Sequence, residues 1–284
     1  MKILIVGASG MLGNALFRLF SSYADMQVFG TLRNEGSKKL FEGRFHLNLI
    51  SGVDVESADQ LMRTIDEVRP NVVINCIGLV KQLSEASDPL LAIPINSLLP
   101  HRMARICSMT GARFIHLSTD CVFSGSKGLY TESDQPDARD LYGLSKYLGE
   151  VSESNAITLR TSIIGHELQG AKSLIDWFLS QKSNIRGFRR AIFSGFPTVE
   201  IGKIIKDYVL ANPSLNGLYH LSSDPINKYD LLKMVAEEYK KNIDIIPDDD
   251  FKIDRSLDSS RFRLDTGFRP KPWTQLVSEM YEFR

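Results

Sequence analysis

Short apolar runs alternate with segments of helical period along most of the chain. Residues 3–6 are continuously apolar, and Met11, Leu12, Ala15, Leu16, Leu19 and Phe20 then recur at helical spacing. This predicts a buried strand followed by an amphipathic helix. Residues 27–33 read as a second strand and 45–49 as a short third one. A helical pattern over 57–69 stops at Pro70, and residues 71–78 are apolar enough for a strand buried on both faces. The longest apolar stretch, 72–80, is interrupted by Asn75 and is far too short for a bilayer span. Residues 88–111 place Ile95, Leu98, Leu99, Met103 and Ile106 on one apolar helical face, and a fifth strand is expected over 113–117.

The pattern changes after Gly165. One amphipathic helix is expected over 174–179, followed by a basic cluster of Arg186, Arg189 and Arg190. Residues 217–222 read as a further strand of the main sheet. Helical patterning returns at 229–239 and 274–281, with a short strand at 243–246 between them, and Asp248, Asp249 and Asp250 are expected in a hydrated loop. The alternation of strand and helix predicts an α/β fold, a doubly wound parallel sheet of Rossmann type, with a smaller mixed α/β lobe. The expected division is 1–166 plus 191–222 for the sheet domain and 167–190 plus 223–284 for the lobe.

Composition narrows the partners. Thirty-four Lys and Arg balance 34 Asp and Glu, so no global field draws the chain to nucleic acid or to an anionic membrane. Cys76, Cys107 and Cys121 are odd in number and widely spaced, which suits a reducing cytoplasm. No signal-peptide pattern is visible at the first strand. The five histidines are scattered without ligand spacing, so no catalytic metal is expected. A homodimer stays open.

The first strand runs into Gly7-Ala8-Ser9-Gly10-Met11-Leu12-Gly13. Glycines between a strand and a helix let a pyrophosphate approach the backbone, and the unpaired N–H groups at the helix start favour its charge. Two residues separate each pair of glycines, and in this the turn resembles the extended members of the short-chain dehydrogenase/reductase superfamily. The end of the second strand carries Arg33, with no acid nearby until Glu35. A basic residue there suits the 2′-phosphate of NADPH, an acid the free hydroxyls of NADH; NADPH is favoured, and NADH stays open. Asp54 and Val55 form a pair that either flanks an adenine ring or lies in an exposed loop. Cys76, Ile77 and Gly78 end the fourth strand where it would border the cofactor. Asn96 either faces solvent or holds backbone near the reacting centre.

Tyr142 and Lys146 are four residues apart, which on a helix places an ammonium near a phenol and favours its ionised form. A phenol titrating at about 10 becomes a useful proton relay only with such help. Several motifs then occur in order: Ser118-Thr119-Asp120-Cys121-Val122-Phe123 with Gly125, Tyr130-Thr131-Glu132, Tyr142-Gly143-Leu144-Ser145-Lys146 with Gly149-Glu150, and Leu159-Arg160-Thr161-Ser162-Ile163-Ile164-Gly165. Together they resemble the dTDP-4-dehydrorhamnose reductase family, over nearly the whole chain. The resemblance implies a catalytic triad of Thr119, Tyr142 and Lys146, with NADPH as hydride source and a nucleotide-linked 4-keto-6-deoxy sugar as substrate. It implies Asp120 on a sugar hydroxyl, Cys121, Phe123 and Ile163 lining the sugar pocket, and a closing segment around Arg255. The pathway it implies is deoxysugar supply for a surface polysaccharide.

Two positions depart from the family. Cys121 stands where a Tyr is usual and Ile163 where a Trp is usual, which leaves the sugar unspecified. Cys121 reads as a small pocket or core thiol in preference to a nucleophile. Arg189 is either solvated or reaches a substrate diphosphate. A dehydratase or epimerase that retains its cofactor would carry a second acid after Asp120, where this chain has Cys121. A regulatory subunit of methionine adenosyltransferase resembles the same family and stands as a non-catalytic alternative.

Overall fold

The computed structural model describes residues 1–79 and 84–284; the end of the apolar stretch at Val80 lies outside them. The chain runs β1 (Lys2–Val6), α1 (Met11–Ser21), β2 (Gln27–Thr31), β3 (Leu49–Ile50), α2 (Ala58–Val68), β4 (Val72–Asn75), α3 (Pro89–Ala92), α4 (Leu99–Thr110), β5 (Arg113–Thr119), α5 (Leu141–Leu148) and β6 (Ala156–Thr161). It continues through β7 (Ile163–Ile164), α6 (Leu174–Ser180), β8 (Ile185–Phe188), β9 (Ala191–Phe193), β10 (Phe196–Pro197), α7 (Thr198–Ile204) and β11 (Gly217–His220). The last elements are β12 (Ile226–Asn227), α8 (Lys228–Glu238), β13 (Ile245–Asp248), β14 (Ile253–Asp254), α9 (Ser260–Thr266) and α10 (Trp273–Glu282).

Seven strands form one sheet in the order β11-β6-β5-β4-β1-β2-β3. β1 pairs in parallel with β2 on one side and β4 on the other, with Val6 opposite Asn75. The chain order therefore reverses between β1 and β4, and ligands of such sheets bind at the carboxyl ends beside that reversal. Both residues flanking it are set by sequence: β1 and β4 are buried along nearly their whole length because each is a continuous apolar run.

The chain divides into two compact units, 1–118 with 139–159 and 213–218, and 119–138 with 160–212 and 219–284. In the first, Leu4, Val6 and Val73 pack with Leu61 and Ile65 of α2 and with Leu99 and Met103 of α4. Phe17 of α1 packs closely on Gly30, where a Cβ would lie 3.0 Å from its ring. The second unit is mixed: β9 pairs antiparallel with β12 and parallel with β14, and β8 pairs in parallel with β13. Its aromatic core includes Phe268, edge-on to Phe196, Tyr208 and Phe262.

These units are drawn differently from the expected parts. Residues 167–190 and 223–284 fall in the second unit, but so do 119–138 and 191–212. The loop after β5 is bound to the C-terminal segment: Tyr130 N donates to Ser256 O, and Arg255 Nε donates to Phe123 O at 2.7 Å. Such long-range bonds leave no trace in local periodicity.

Three local expectations are also corrected. The expected strand at 45–49 is mostly a 3₁₀ turn, Gly43–Asn48, with only Leu49–Ile50 in the sheet. Phe45 is apolar because it packs edge-on against Phe17, and Asn48 donates to Val28 O on β2. The expected hydrated loop begins later, because Asp248 is 9% exposed in β13 and accepts from Arg186 Nη1 and Asp250 N.

The third concerns 88–111, expected as one helix. It is interrupted between α3 and α4 by a π turn, Ile93–Leu98. Pro94 and Pro100 lack N–H groups, so the regular ladder cannot be maintained across it, and Pro100 cannot bond the Asn96 carbonyl. That carbonyl faces Gly149, where a Cβ would lie only 1.9 Å from Asn96 O. Glycine at 149 thus lets the end of α5 approach the π turn. Among the described residues no helix is long and apolar enough to cross a membrane.

Candidate active site

The turn from β1 to α1 is built as a cradle. Gly7 has φ of +89°, and Gly13 approaches it so closely that a Cβ would lie 2.1 Å from Gly7 O. Gly7 N donates to Thr31 Oγ1 and Ala8 N to Thr31 O, which anchors the turn to β2. Gly10 differs from its neighbours: a Cβ there would meet nothing nearer than Gly7 O at 3.6 Å. Gly10 is the N-cap of α1, with no side-chain cap and no acid in the first turn. The positive end of an 11-residue helix therefore faces open space beside Ser9 and Gly10, both exposed, and half-buried Met11. Leu12 and Gly13 are buried and offer only backbone. This geometry fits the pyrophosphate of a dinucleotide.

Arg33 lies exposed just past β2. Glu35, the nearest acid after it, is paired with Lys38 at 3.1 Å. Asp54 N donates to Gln60 Oε1, its carboxylate accepts from Glu56 N, and Val55 belongs to the core of the first unit. Cys76 N donates to Val6 O and Ile77 N to Asn75 Oδ1. Asn96 is 1% exposed, which rules out the solvent-facing alternative. Its Oδ1 accepts from Leu79 N at 2.9 Å and its Nδ2 donates to Leu79 O and Ser145 Oγ, so it clamps the end of β4 to α5. A Cβ on Gly78 would lie 3.4 Å from Asn96 Oδ1 and 3.8 Å from Lys146 Nζ. Gly78, Asn96 and Lys146 are thus brought together.

Asp140 caps α5 by accepting from Gly143 N, and Ser145 Oγ donates to Tyr142 O. Tyr142 is half-buried, and Lys146, one turn on, is 6% exposed. Lys146 Nζ donates to Leu117 O at 2.8 Å. Burial pulls its ammonium down to about 8, against the attraction of Glu150. The next residue of β5 is also held, since Ser118 Oγ donates to Glu150 Oε1 at 2.7 Å.

Thr119 follows Ser118 and opens the second unit. Its Oγ accepts from Cys121 N at 3.1 Å and donates to Asp120 Oδ1 at 3.2 Å. Burial raises the Asp120 carboxyl, opposed by Arg255 and, more weakly, Lys228. Burial also pushes the Cys121 thiol up to about 12, so it is a neutral thiol and a poor nucleophile. Phe123 is not a pocket wall: it is fully buried, stacked on Tyr130 at 4.1 Å with Arg160 over its ring. Ile163 is half-buried in β7, opposite Phe196. Arg189 directs Nε and Nη2 at Asp249 on the half-exposed surface.

Ser118, Glu150 and Ser145 in the first unit, and Lys228 in the second, were not assigned from sequence. Glu150 stands four residues after Lys146, a legible signal; Lys228 has none, since it reaches Asp120 from α8 across more than a hundred residues.

A parallel sheet with this reversal, a glycine cradle and a Tyr–Lys pair on α5 define a Rossmann-type fold of the extended short-chain dehydrogenase/reductase class. The chain belongs to the family described as the RmlD substrate binding domain, whose profile matches residues 1–283. It is 36% identical over 148 residues to dTDP-4-dehydrorhamnose reductase of Streptomyces griseus, covering 52% of this chain and 43% of the relative. It is 26% identical over 293 residues to methionine adenosyltransferase 2 subunit beta of Xenopus tropicalis, covering 96% of this chain and 78% of that one. The chain spans about half the length of the curated reductases it matches. Among solved structures it is similar to a dTDP-4-dehydrorhamnose reductase from Bacillus anthracis in complex with NADP. There the TM-score is 0.78 at 22% identity, covering 100% of this chain and 98% of that one.

Proposed function

We propose that the protein reduces the C4 ketone of a nucleotide-linked 4-keto-6-deoxy sugar with NADPH, as in deoxysugar and surface polysaccharide biosynthesis. The observation that carries this reading is Lys146: a buried cation tied to the end of β5, one helical turn from Tyr142 and beside Gly78 at the cofactor side of the sheet. Residues 7–13 would hold the pyrophosphate, Arg33 the 2′-phosphate, and Asn96 would keep the end of β4 in place. NADPH, when bound, supplies a hydride to the ketone carbon and departs as NADP⁺. As the carbonyl π pair moves onto oxygen, Tyr142 gives that oxygen its phenolic proton, so the ketone becomes a secondary alcohol. Lys146 stabilises the phenolate left behind, and Thr119 would orient the carbonyl oxygen by donating to it. Because the Thr119 hydroxyl donates to Asp120 Oδ1 in the structure, this donation requires the hydroxyl to rotate.

The sugar contacts are proposed at Asp120, Cys121 and Ile163, with Arg189 reaching the diphosphate only if it leaves Asp249. The second unit is proposed as the sugar-binding part and the first as the NADP(H)-binding part. Three free cysteines suit a cytoplasmic site of action. The exposed Leu98, Leu144 and Leu148 on the helices of the first unit support pairing with a second copy.

The test is NADPH oxidation over a panel of 4-keto sugar nucleotides, with products identified. Turnover on one of them is expected. No turnover, together with stable capture of a methionine adenosyltransferase catalytic subunit, would replace this reading by the regulatory one. Arg33→Ala is expected to weaken NADPH roughly tenfold, from loss of one phosphate contact, with NADH binding unchanged. Equal loss for both cofactors in titration by fluorescence would remove Arg33 from the 2′-phosphate.

A further inference from the structure

We propose that Glu150 is a positioning residue, supplying the counter-charge for Lys146 and, through Ser118, fixing the strand end to which Thr119 is joined. Two consecutive residues of β5 are held by two residues spaced four apart. Leu117 O accepts from Lys146 Nζ at 2.8 Å, and Ser118 Oγ donates to Glu150 Oε1 at 2.7 Å. The spacing carries over the end of α5 because Gly149 caps it and Glu150 N still bonds Tyr147 O. The strand end is thereby laced to the helix once through its backbone and once through a side chain.

Lys146 needs this acid for a physical reason. A cation 6% exposed loses most of its hydration, and one backbone carbonyl does not replace it. The groups facing it are Glu150 beyond its helix, His116 on β5 and uncharged Gly78, and Tyr142 lies one turn earlier on its own helix. His116 is fully buried and its imidazole is held well below its usual range, first by burial and then by Lys146, so it stays neutral and supplies no charge. Glu150 is the acid whose field opposes the loss of the Lys146 proton. A hydroxyl donating to that carboxylate also keeps it aimed at the strand.

The sign follows directly. Lys146 is charged below its midpoint near 8 and loses its charge as pH rises through it. Removing the Glu150 charge lowers that midpoint, so the charged form disappears at lower pH. Glu150→Gln keeps an acceptor for Ser118 and removes only the charge; Ser118→Ala removes only the hydrogen bond. In the full chain labelled with ¹³Cε-lysine, the Lys146 signal, assigned by its loss in Lys146→Arg, is expected to titrate about one pH unit lower in Glu150→Gln. It is expected to stay in place in Ser118→Ala and to return in Glu150→Asp.

The catalytic consequence rests on the reductase reading. At pH 7.5, a one-unit drop leaves about a third as much charged Lys146, so the rate should fall about threefold and recover near pH 6. In Ser118→Ala, kcat should fall at every pH with its profile unmoved. An unmoved Lys146 titration in Glu150→Gln, or an equal movement in Ser118→Ala, would overturn the inference. Because that titration needs no substrate, its failure is separate from failure of the reductase reading. If Glu150→Gln proves unstable in a thermal melt, Glu150→Ala takes its place: it also removes the charge, so the Lys146 signal is expected to move down by about one pH unit, against an unmoved signal in Ser118→Ala.

Discussion

Tyr142→Phe is expected to abolish NADPH oxidation, by at least about 10²- to 10⁴-fold in kcat, while leaving cofactor binding within about threefold of the unmodified protein. The substitution deletes one oxygen and keeps the ring. Tyr142 is half-buried on α5, and the helix is fixed independently of its hydroxyl by the Asp140 cap and by the Ser145 and Ser97 bonds. Lys146 retains its bond to Leu117 O. The variant thus removes the proposed proton source while the bonds that fix the helix and Lys146 remain. Stopped-flow absorbance on the substrate found by the panel gives kcat, and NADPH fluorescence gives the affinity. Retained turnover would assign the proton to another group, and loss of affinity would mean that the phenol mainly holds cofactor.

Gly13→Ala is expected to lose about 3–5 kcal/mol of stability, and with it NADPH binding, because the new methyl group would lie 2.1 Å from Gly7 O and 2.9 Å from Gly7 C. Both are backbone atoms of the turn, so no side chain can move aside. Gly10→Ala predicts the opposite combination. Its backbone is extended with φ of −74°, which alanine adopts freely, and the nearest atom to its Cβ is 3.6 Å away. The free protein should melt as before, yet the methyl group would occupy the room a phosphate needs, and NADPH should bind at least about tenfold more weakly. Denaturant melts and fluorescence titrations separate the two effects. Unchanged NADPH affinity in Gly10→Ala would place the pyrophosphate elsewhere.

The strands and turns of the first unit were legible because their physics is local. β1 and β4 are unbroken apolar runs, the glycines of the cradle lie within seven residues, and Tyr142 and Lys146 lie one turn apart on a single helix. Residues whose partners lie far along the chain were read less well. Phe45 looks like part of a strand until Phe17 is seen against it, and Phe123 looks like a pocket wall until Tyr130, Arg160 and His220 close around it. Arg189 was open between solvent and substrate, and only Asp249, sixty residues away, shows where its donors point. Lys228 sits near Asp120 by a route that no window of sequence contains.

The π turn at Ile93–Leu98 has a consequence for how one rod of helix serves two tasks. An extra residue in a turn shifts the angular phase of everything after it. Before the shift, Ala92 points inward; after it, Met103 and Cys107 fill the core. At the shift itself, the neighbours Asn96 and Ser97 both reach Ser145, one through its hydroxyl and one through its carbonyl. Removing one residue here would shift that phase and rotate one of those two away from Ser145, so the length of this segment is as constrained as its composition.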